Sequence, residues 1–194
     1  MSSSPRVRVQ REDFSLDQEI DRLREPRAGA IAAFVGTVRQ RDGATVGGGD
    51  TQRLELEHYP GMTERAIEAM IDAAQARFDI LAARVVHRIG VLAATDNIVL
   101  VAVASAHRAE AFSACEFLMD YLKTQAPFWK KEHRIDGSAD WVDARVADDA
   151  ALRRWGLTSG NAVDAVAAAA AAAATAAPAD EDAVEPGVPV RLAP

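Results

Sequence analysis

The order of helical and extended patterns is what most restricts this 194-residue chain. It runs strand, helix, strand, strand, helix, strand, strand, helix, strand, strand. Two stretches set that order firmly. "PGMTERAIEAMIDAAQARFD" repeats Ile67, Met70, Ile71, Ala74 and Phe78 at helical spacing, with Thr63 as its expected N-cap. "AEAFSACEFLMDYLKT" is a second amphipathic helix, and Pro127 stops it because the residue before a proline is pushed out of the α region. A shorter helix, "SLDQEIDRLRE", places Leu16, Ile20 and Leu23 on one face behind a Ser15 N-cap. "RVRVQRED" and "RLELEHY" alternate as half-buried strands do, the second with Leu54 and Leu56 inward. "GAIAAFVGTVR" is nearly continuously apolar and is expected to be a central strand. "ARVVHRIG" and "NIVLVAVASA" are strands separated by the turn "TDN", and "FWKKEHRI" and "DWVDARV" form a closing hairpin near Asp136-Gly137. Strands and helices do not alternate regularly. The fold class is therefore α+β, a mixed, largely antiparallel sheet with packed helices, and not a doubly wound sheet.

Two stretches stand outside this pattern. "QRDGATVGGGDTQ" has four glycines and nothing to bury, so it reads as a flexible loop. Residues 156–194 are Ala- and Pro-rich with an acidic patch and no amphipathic stripe, which marks a disordered low-complexity tail after a domain spanning 1–155. The alanine tract inflates the 49% hydrophobic content, and no apolar run reaches the roughly 18 residues that span a bilayer. No apolar secretory segment follows Met1, so a cytoplasmic protein is expected. The net charge of -7 argues against general affinity for nucleic acid or anionic membrane, so any anion site must be local. Cys115 is the lone cysteine; it permits no internal disulfide and no thiolate metal cluster, and its apolar helical setting marks it as a core residue. No metal and no bound cofactor are expected.

Against this acidic background, "MDYLKTQAPFWKKEH" gathers Lys123, Lys130 and Lys131 around a Pro-Phe-Trp corner. A lysine beside apolar walls and a second cation is disfavoured in its charged form, which makes it a better base or nucleophile. On spacing alone, a solvated helix end followed by an ordinary Lys-Lys-Glu turn explains the corner better than a reactive site does. Two further junctions add cations. His107 and Arg108 open a helix directly after a buried strand, where free N–H groups attract anions. Arg39 ends the apolar strand before the glycine loop. If these element ends meet, Arg39, His107, Arg108, Lys123 and Lys130 line one pocket for a phosphate-bearing substrate; taken singly, His107 also reads as an N-cap and Arg39 as a surface strand end. His58 and His87 read as locally satisfied strand residues. Glu132 either orients the lysines or offsets their charge. Phosphate-loop, dinucleotide-binding and serine-nucleophile signatures are lacking.

The segments "GAIAAFVGTVR", "LELEHYPGMTERA", "VHRIG", "SAHRAEAF" and "MDYLKTQAPFWKKE", in this order, closely resemble the large, catalytic subunit of molybdopterin synthase, the MoaE family. The resemblance covers roughly residues 5 to 155. It implies an α/β hammerhead-type fold with a small extra β subdomain. It further implies a sulfurtransferase that converts cyclic pyranopterin monophosphate (precursor Z) to molybdopterin, in molybdenum cofactor biosynthesis. The sulfur comes from the C-terminal thiocarboxylate of a small ubiquitin-like, MoaD-like subunit. Large subunits pair as a homodimer with a small subunit at each end, a heterotetramer. Position by position, the resemblance makes Lys123 and Lys130 catalytic. It assigns Thr37, Val38, Arg39, His107, Arg108, Lys131 and Glu132, with the two lysines, to pterin substrate binding. Arg145 would reach a pocket across the dimer. The chain departs from the family at Thr37, where many members carry lysine, and its loop Gly43 to Asp50 is longer than usual. Two other classes compete: a non-catalytic module binding a ubiquitin-like tail or phosphorylated ligand, and a nucleic-acid binder using the Lys/Arg/Trp corner.

Overall fold

A computed structural model describes residues 5–39, 51–134, 137–141 and 153–156. The glycine-rich loop Gly43 to Asp50, Arg145 and the tail beyond Gly156 lie outside the described residues.

Strand β6 (Asn97–Ser105) is the centre of the first sheet, and its sequence explains why. Val99, Val101 and Val103 point to one face, Leu100, Ala102 and Ala104 to the other, and all six are buried. A strand covered on both sides carries no polar alternation. Its neighbours are β4 (Ala82–Arg88) and β2 (Ala30–Thr37), both antiparallel to it, and β1 (Val7–Gln10) adds to β4 in parallel, giving the order β1-β4-β6-β2. On one face α2 (Met62–Arg77) and α3 (Arg108–Gln125) bury Ile67, Met70, Ile71, Ala74, Phe117, Leu118 and Tyr121 against Val85, Val101 and Val103. On the other face, α1 (Leu16–Asp21) and its flanks bring Phe14 and Leu23 to Val86, Leu100 and Ala102.

The second sheet is antiparallel throughout, in the order β5-β3-β7-β8, from β3 (Thr51–His58), β5 (Gly90–Ala93), β7 (Phe128–Arg134) and β8 (Ala139–Trp141). Leu54 and Leu56 do point inward, joining Leu92 and Val38 in a small core of their own. The α+β expectation with a mixed, largely antiparallel arrangement holds, divided between two sheets.

Three local expectations change. "GAIAAFVGTVR" is an edge strand, not a central one. It reads as apolar because Ala32 serves the core on the α3 face and Ile31 and Val35 the core on the α1 face, while Ala33 and Phe34 stay exposed. Strand β5 was not foreseen, since it has four residues and opens at Gly90 with a φ of 84°. The N-cap of α2 is Gly61, and Thr63 lies inside the helix with its hydroxyl engaged elsewhere. Ser15 caps α1 as expected, accepting from the Gln18 N–H at 3.4 Å. Glu19 of that helix is buried, held by Arg8, Arg22 and Arg84 together.

Candidate functional site

The lysine corner is built by one local bond and two contacts from distant parts of the chain. Helix α3 ends at Gln125, with Lys123 exposed in its last turn, where the helix dipole favours a cation. The Phe128 N–H donates to the Ala126 carbonyl at 2.8 Å, a tight reversal around Pro127 that suits the φ to which proline is confined. The Thr63 hydroxyl donates to the Pro127 carbonyl at 3.2 Å and accepts from the Tyr59 N–H at 3.1 Å. Phe128 then lies flat on His87, ring centroids 3.7 Å apart and planes 15° apart. Burial pushes the His87 imidazole down to about 4, against the smaller upward pull of its bond to the Arg88 carbonyl. It is a neutral wall at neutral pH.

Register decides where the β7 side chains go. Lys130 stands opposite Leu56 and Glu132 opposite Leu54, so both occupy the inward face beside Val38. Lys131 stands opposite Glu55 on the other face, its ammonium 5.4 Å from the centre of the Trp141 ring. The two-residue period of a strand thus turns Lys131 away from Lys130.

Arg39 belongs to the same end of the molecule. β2 and β6 are antiparallel, with Ala30 opposite Ser105 and Thr37 opposite Asn97, so β2 finishes where β6 starts. Val38 is pinned there by backbone bonds, its N–H to the Asp96 carbonyl at 2.9 Å and its carbonyl to the Thr95 N–H at 2.8 Å. Its side chain is buried, so its part is to place the exposed Arg39. Helix α3 follows β6 directly and runs back along it, Cys115 lying over Val101, which returns Lys123 to the end where β6 begins. His87, opposite Val99, brings Phe128 there too. Arg39, Lys123 and Lys130 thus share one end of the sheet–helix layer.

His107 and Arg108 do not. They start α3, and the fifteen helical steps from Arg108 to Lys123 span about 22 Å. A methyl group on Gly29 would collide with the Ala106 carbonyl, so this end of the helix sits tightly against the beginning of β2, not its finish. His107 makes no side-chain cap bond, and both side chains are exposed. Within one chain the five cations do not line one pocket; they divide between opposite ends of α3.

Sulfur chemistry through the chain's own thiol is disfavoured. The Cys115 Sγ faces the Val101 carbonyl at 3.7 Å, and burial raises its pKa to about 11, so it is an unreactive core thiol. The corner's supports, Thr63 and His87, were not legible as functional from their own segments. Their one signal is position, at a Tyr-Pro-Gly turn and at a strand end.

A family model described as MoaE protein matches residues 9–125, which include Arg39, His107, Arg108 and Lys123. The chain belongs to the MoaE family. Among individual relatives, the molybdopterin synthase catalytic subunit of Ralstonia nicotianae is 56% identical over 166 residues, covering 84% of this chain and 91% of its own. That of Vibrio cholerae is 52% identical over 152 residues, 77% of this chain and 97% of its own. Among solved structures, the molybdopterin cofactor biosynthesis protein E of Burkholderia multivorans superposes with a TM-score of 0.66 at 51% identity, over 78% of this chain and 97% of that one. The fold described above is thus shared with a solved MoaE structure over most of both chains.

Proposed function

We propose that the chain is the catalytic subunit of a molybdopterin synthase. It takes cyclic pyranopterin monophosphate as substrate and sulfur from the C-terminal thiocarboxylate of a small ubiquitin-like partner. The observation that carries this reading is the shared end of Arg39, Lys123 and Lys130 in a chain of the MoaE family. Arg39 supplies a guanidinium for the phosphate. Lys123 and Lys130 flank the place where sulfur meets the pterin side chain, one removing and one returning protons and both stabilising the charge that develops on oxygen. Each transfer forms a carbon–sulfur bond to the substrate and breaks a carbon–oxygen bond, the oxygen leaving as water or staying on the phosphate as its ring opens. Water then cleaves the acyl–sulfur link and leaves the partner's terminal glycine as a carboxylate.

His107 and Arg108 join the same site from a second copy of the chain. β2 is an eight-residue edge strand without a charged residue, and Phe34 on it and Phe112 on α3 are 40% and 66% exposed. Such an edge is a template for strand pairing. Two-fold antiparallel pairing of β2 with its copy sets the His107 end of one chain beside the Arg39 end of the other, twice. The pair, with a small subunit on each copy, makes a heterotetramer acting in the cytoplasm. The catalytic unit is residues 1–155, with Thr37 lining the substrate beside Arg39 and Glu132 beside Lys130, and 156–194 lies outside it.

Lys123→Ala, assayed with thiocarboxylated partner and cyclic pyranopterin monophosphate, is expected to fold and bind the partner but yield no dithiolene. Product at the parent rate would overturn the assignment.

A further inference from the structure

Residues Arg153–Gly156 come back to the body of the protein and clasp α3 close to Lys123. Trp155 is the anchor. Its ring meets Phe78 and Phe117 edge-on, with centroids 5.9 and 5.5 Å away, its carbonyl accepts from Arg77 at 2.9 Å, and the Arg77 guanidinium lies 5.4 Å over its ring. That docking places Arg154 against two carboxylates of α3, Glu116 at 2.6 Å and Asp120 at 2.7 Å, and the indole N–H donates to the same Asp120 oxygen at 2.8 Å. Glu116, Asp120 and Lys123 follow one another at steps of four and three along the outer face of the helix, so they are surface neighbours. An acidic residue one turn before a lysine is its usual ion-pair partner. Here both acidic residues are engaged by Arg154 instead.

We propose that Arg154 and Trp155 are positioning residues for Lys123: by holding Asp120 and Glu116 they keep the lysine from being neutralised by its own helix and leave it available for proton transfer in the reaction. The inference rests on Lys123 taking part in sulfur transfer as set out above. It assigns to the end of the catalytic unit a role in tuning the site, with no contact to substrate.

The test uses the full chain with its thiocarboxylated small partner. Arg154→Gln keeps the stem beside Trp155 and removes the charge. It is expected to lower kcat about threefold, the scale of an exposed ion pair, with KM little changed. The pH midpoint for acetylation of Lys123 by acetic anhydride, read by mass spectrometry, should rise by about half a unit as the released carboxylates turn to the lysine. Adding Glu116→Gln and Asp120→Asn to Arg154→Gln should restore both quantities, which a purely structural clasp does not allow, since further contacts are then lost. An unmoved acetylation midpoint in Arg154→Gln, or a triple variant no faster than the single one, overturns the proposal. If Arg154→Gln does not fold, Trp155→Phe removes the indole donor to Asp120 and part of the ring while keeping an aromatic anchor; a smaller shift in the same direction supports the proposal and none overturns it. Lys123→Ala turning over at the parent rate removes the functional premise instead, while the acetylation midpoint still reports whether the clasp controls the lysine.

Discussion

His87 and Phe128 lie face to face, 3.7 Å between ring centroids, and tie the last residues of β4 to the first residue of β7. The imidazole is buried, and burial disfavours its charged form. Its folded pKa, about 4, is below the ordinary 6.5, so the unfolded chain binds the extra proton between those values. Stability from this group is complete above pH 6.5 and is lost as pH falls toward 4, by about 3 kcal/mol in all. His87→Leu should therefore flatten the stability profile between pH 6.5 and 4 relative to the parent, measured by urea unfolding across that range. Parallel profiles for the two proteins would count against the buried neutral stack.

Thr63 is tested by replacing its hydroxyl alone. Thr63→Val keeps the volume in a fully buried position but leaves the Tyr59 N–H and the Pro127 carbonyl without their shared partner. The expected cost is about 1–3 kcal/mol by denaturant unfolding. Since the same carbonyl holds the reversal between Lys123 and Lys130, turnover should fall at temperatures well below melting. A variant with parent turnover would show that Lys130 is positioned without this bond.

Much of this was legible in the chain itself, and the failures have physical causes. Leu54 and Leu56, Ile67 to Ala74, and Cys115 were placed correctly because burial imposes a period of two or 3.6 residues that a sequence displays directly. Whether β2 is central or at an edge depends on which strands pair, and a strand covered on both faces reads the same in either place. The Thr63 hydroxyl donates to Pro127, 64 residues away, so its local capping pattern misled. The division of the cations was open to arithmetic from the start. A helix with Arg108 at its first residue and Lys123 in its last turn cannot bring both to one phosphate in a single copy.

Glu19 gives a third prediction, about the frame that carries β4. Its carboxylate is 1% exposed and paired with Arg8, Arg22 and the buried Arg84, the last at 2.7 Å. Glu19→Ala takes from the buried Arg84 its carboxylate at 2.7 Å, and the expected loss is about 3–5 kcal/mol. Replacing Arg84 as well, as in Glu19→Leu with Arg84→Met, should recover a large part of that loss, because the buried guanidinium that lost its carboxylate is gone too. Chemical unfolding of the single and double variants decides it: a double variant less stable than Glu19→Ala would mean that the ion cluster itself, not the cost of a buried charge deprived of its counter-charge, holds α1 in place.

The proposed two-copy site makes the last prediction, by complementation. Lys123→Ala and His107→Ala should each be inactive or severely slowed as homodimers, since every site then lacks one of its groups. Mixed dimers behave differently. One of their two sites contains both replacements, and the other combines the intact Lys123 of one chain with the intact His107 of its partner. Co-expressing the variants with distinct tags and isolating the mixed dimer should recover about half of the parent activity per dimer, the share of one intact site in two. A charged residue at the β2 edge, Phe34→Glu, should lower activity and shift sedimentation toward the single copy together, because Phe34 is exposed on the strand proposed to pair the two copies. Mixed dimers as inactive as both parents would place all the catalytic groups within one chain, and the 22 Å from Arg108 to Lys123, a distance of about that size by helical rise, would then have to be crossed by the substrate instead of by a second subunit.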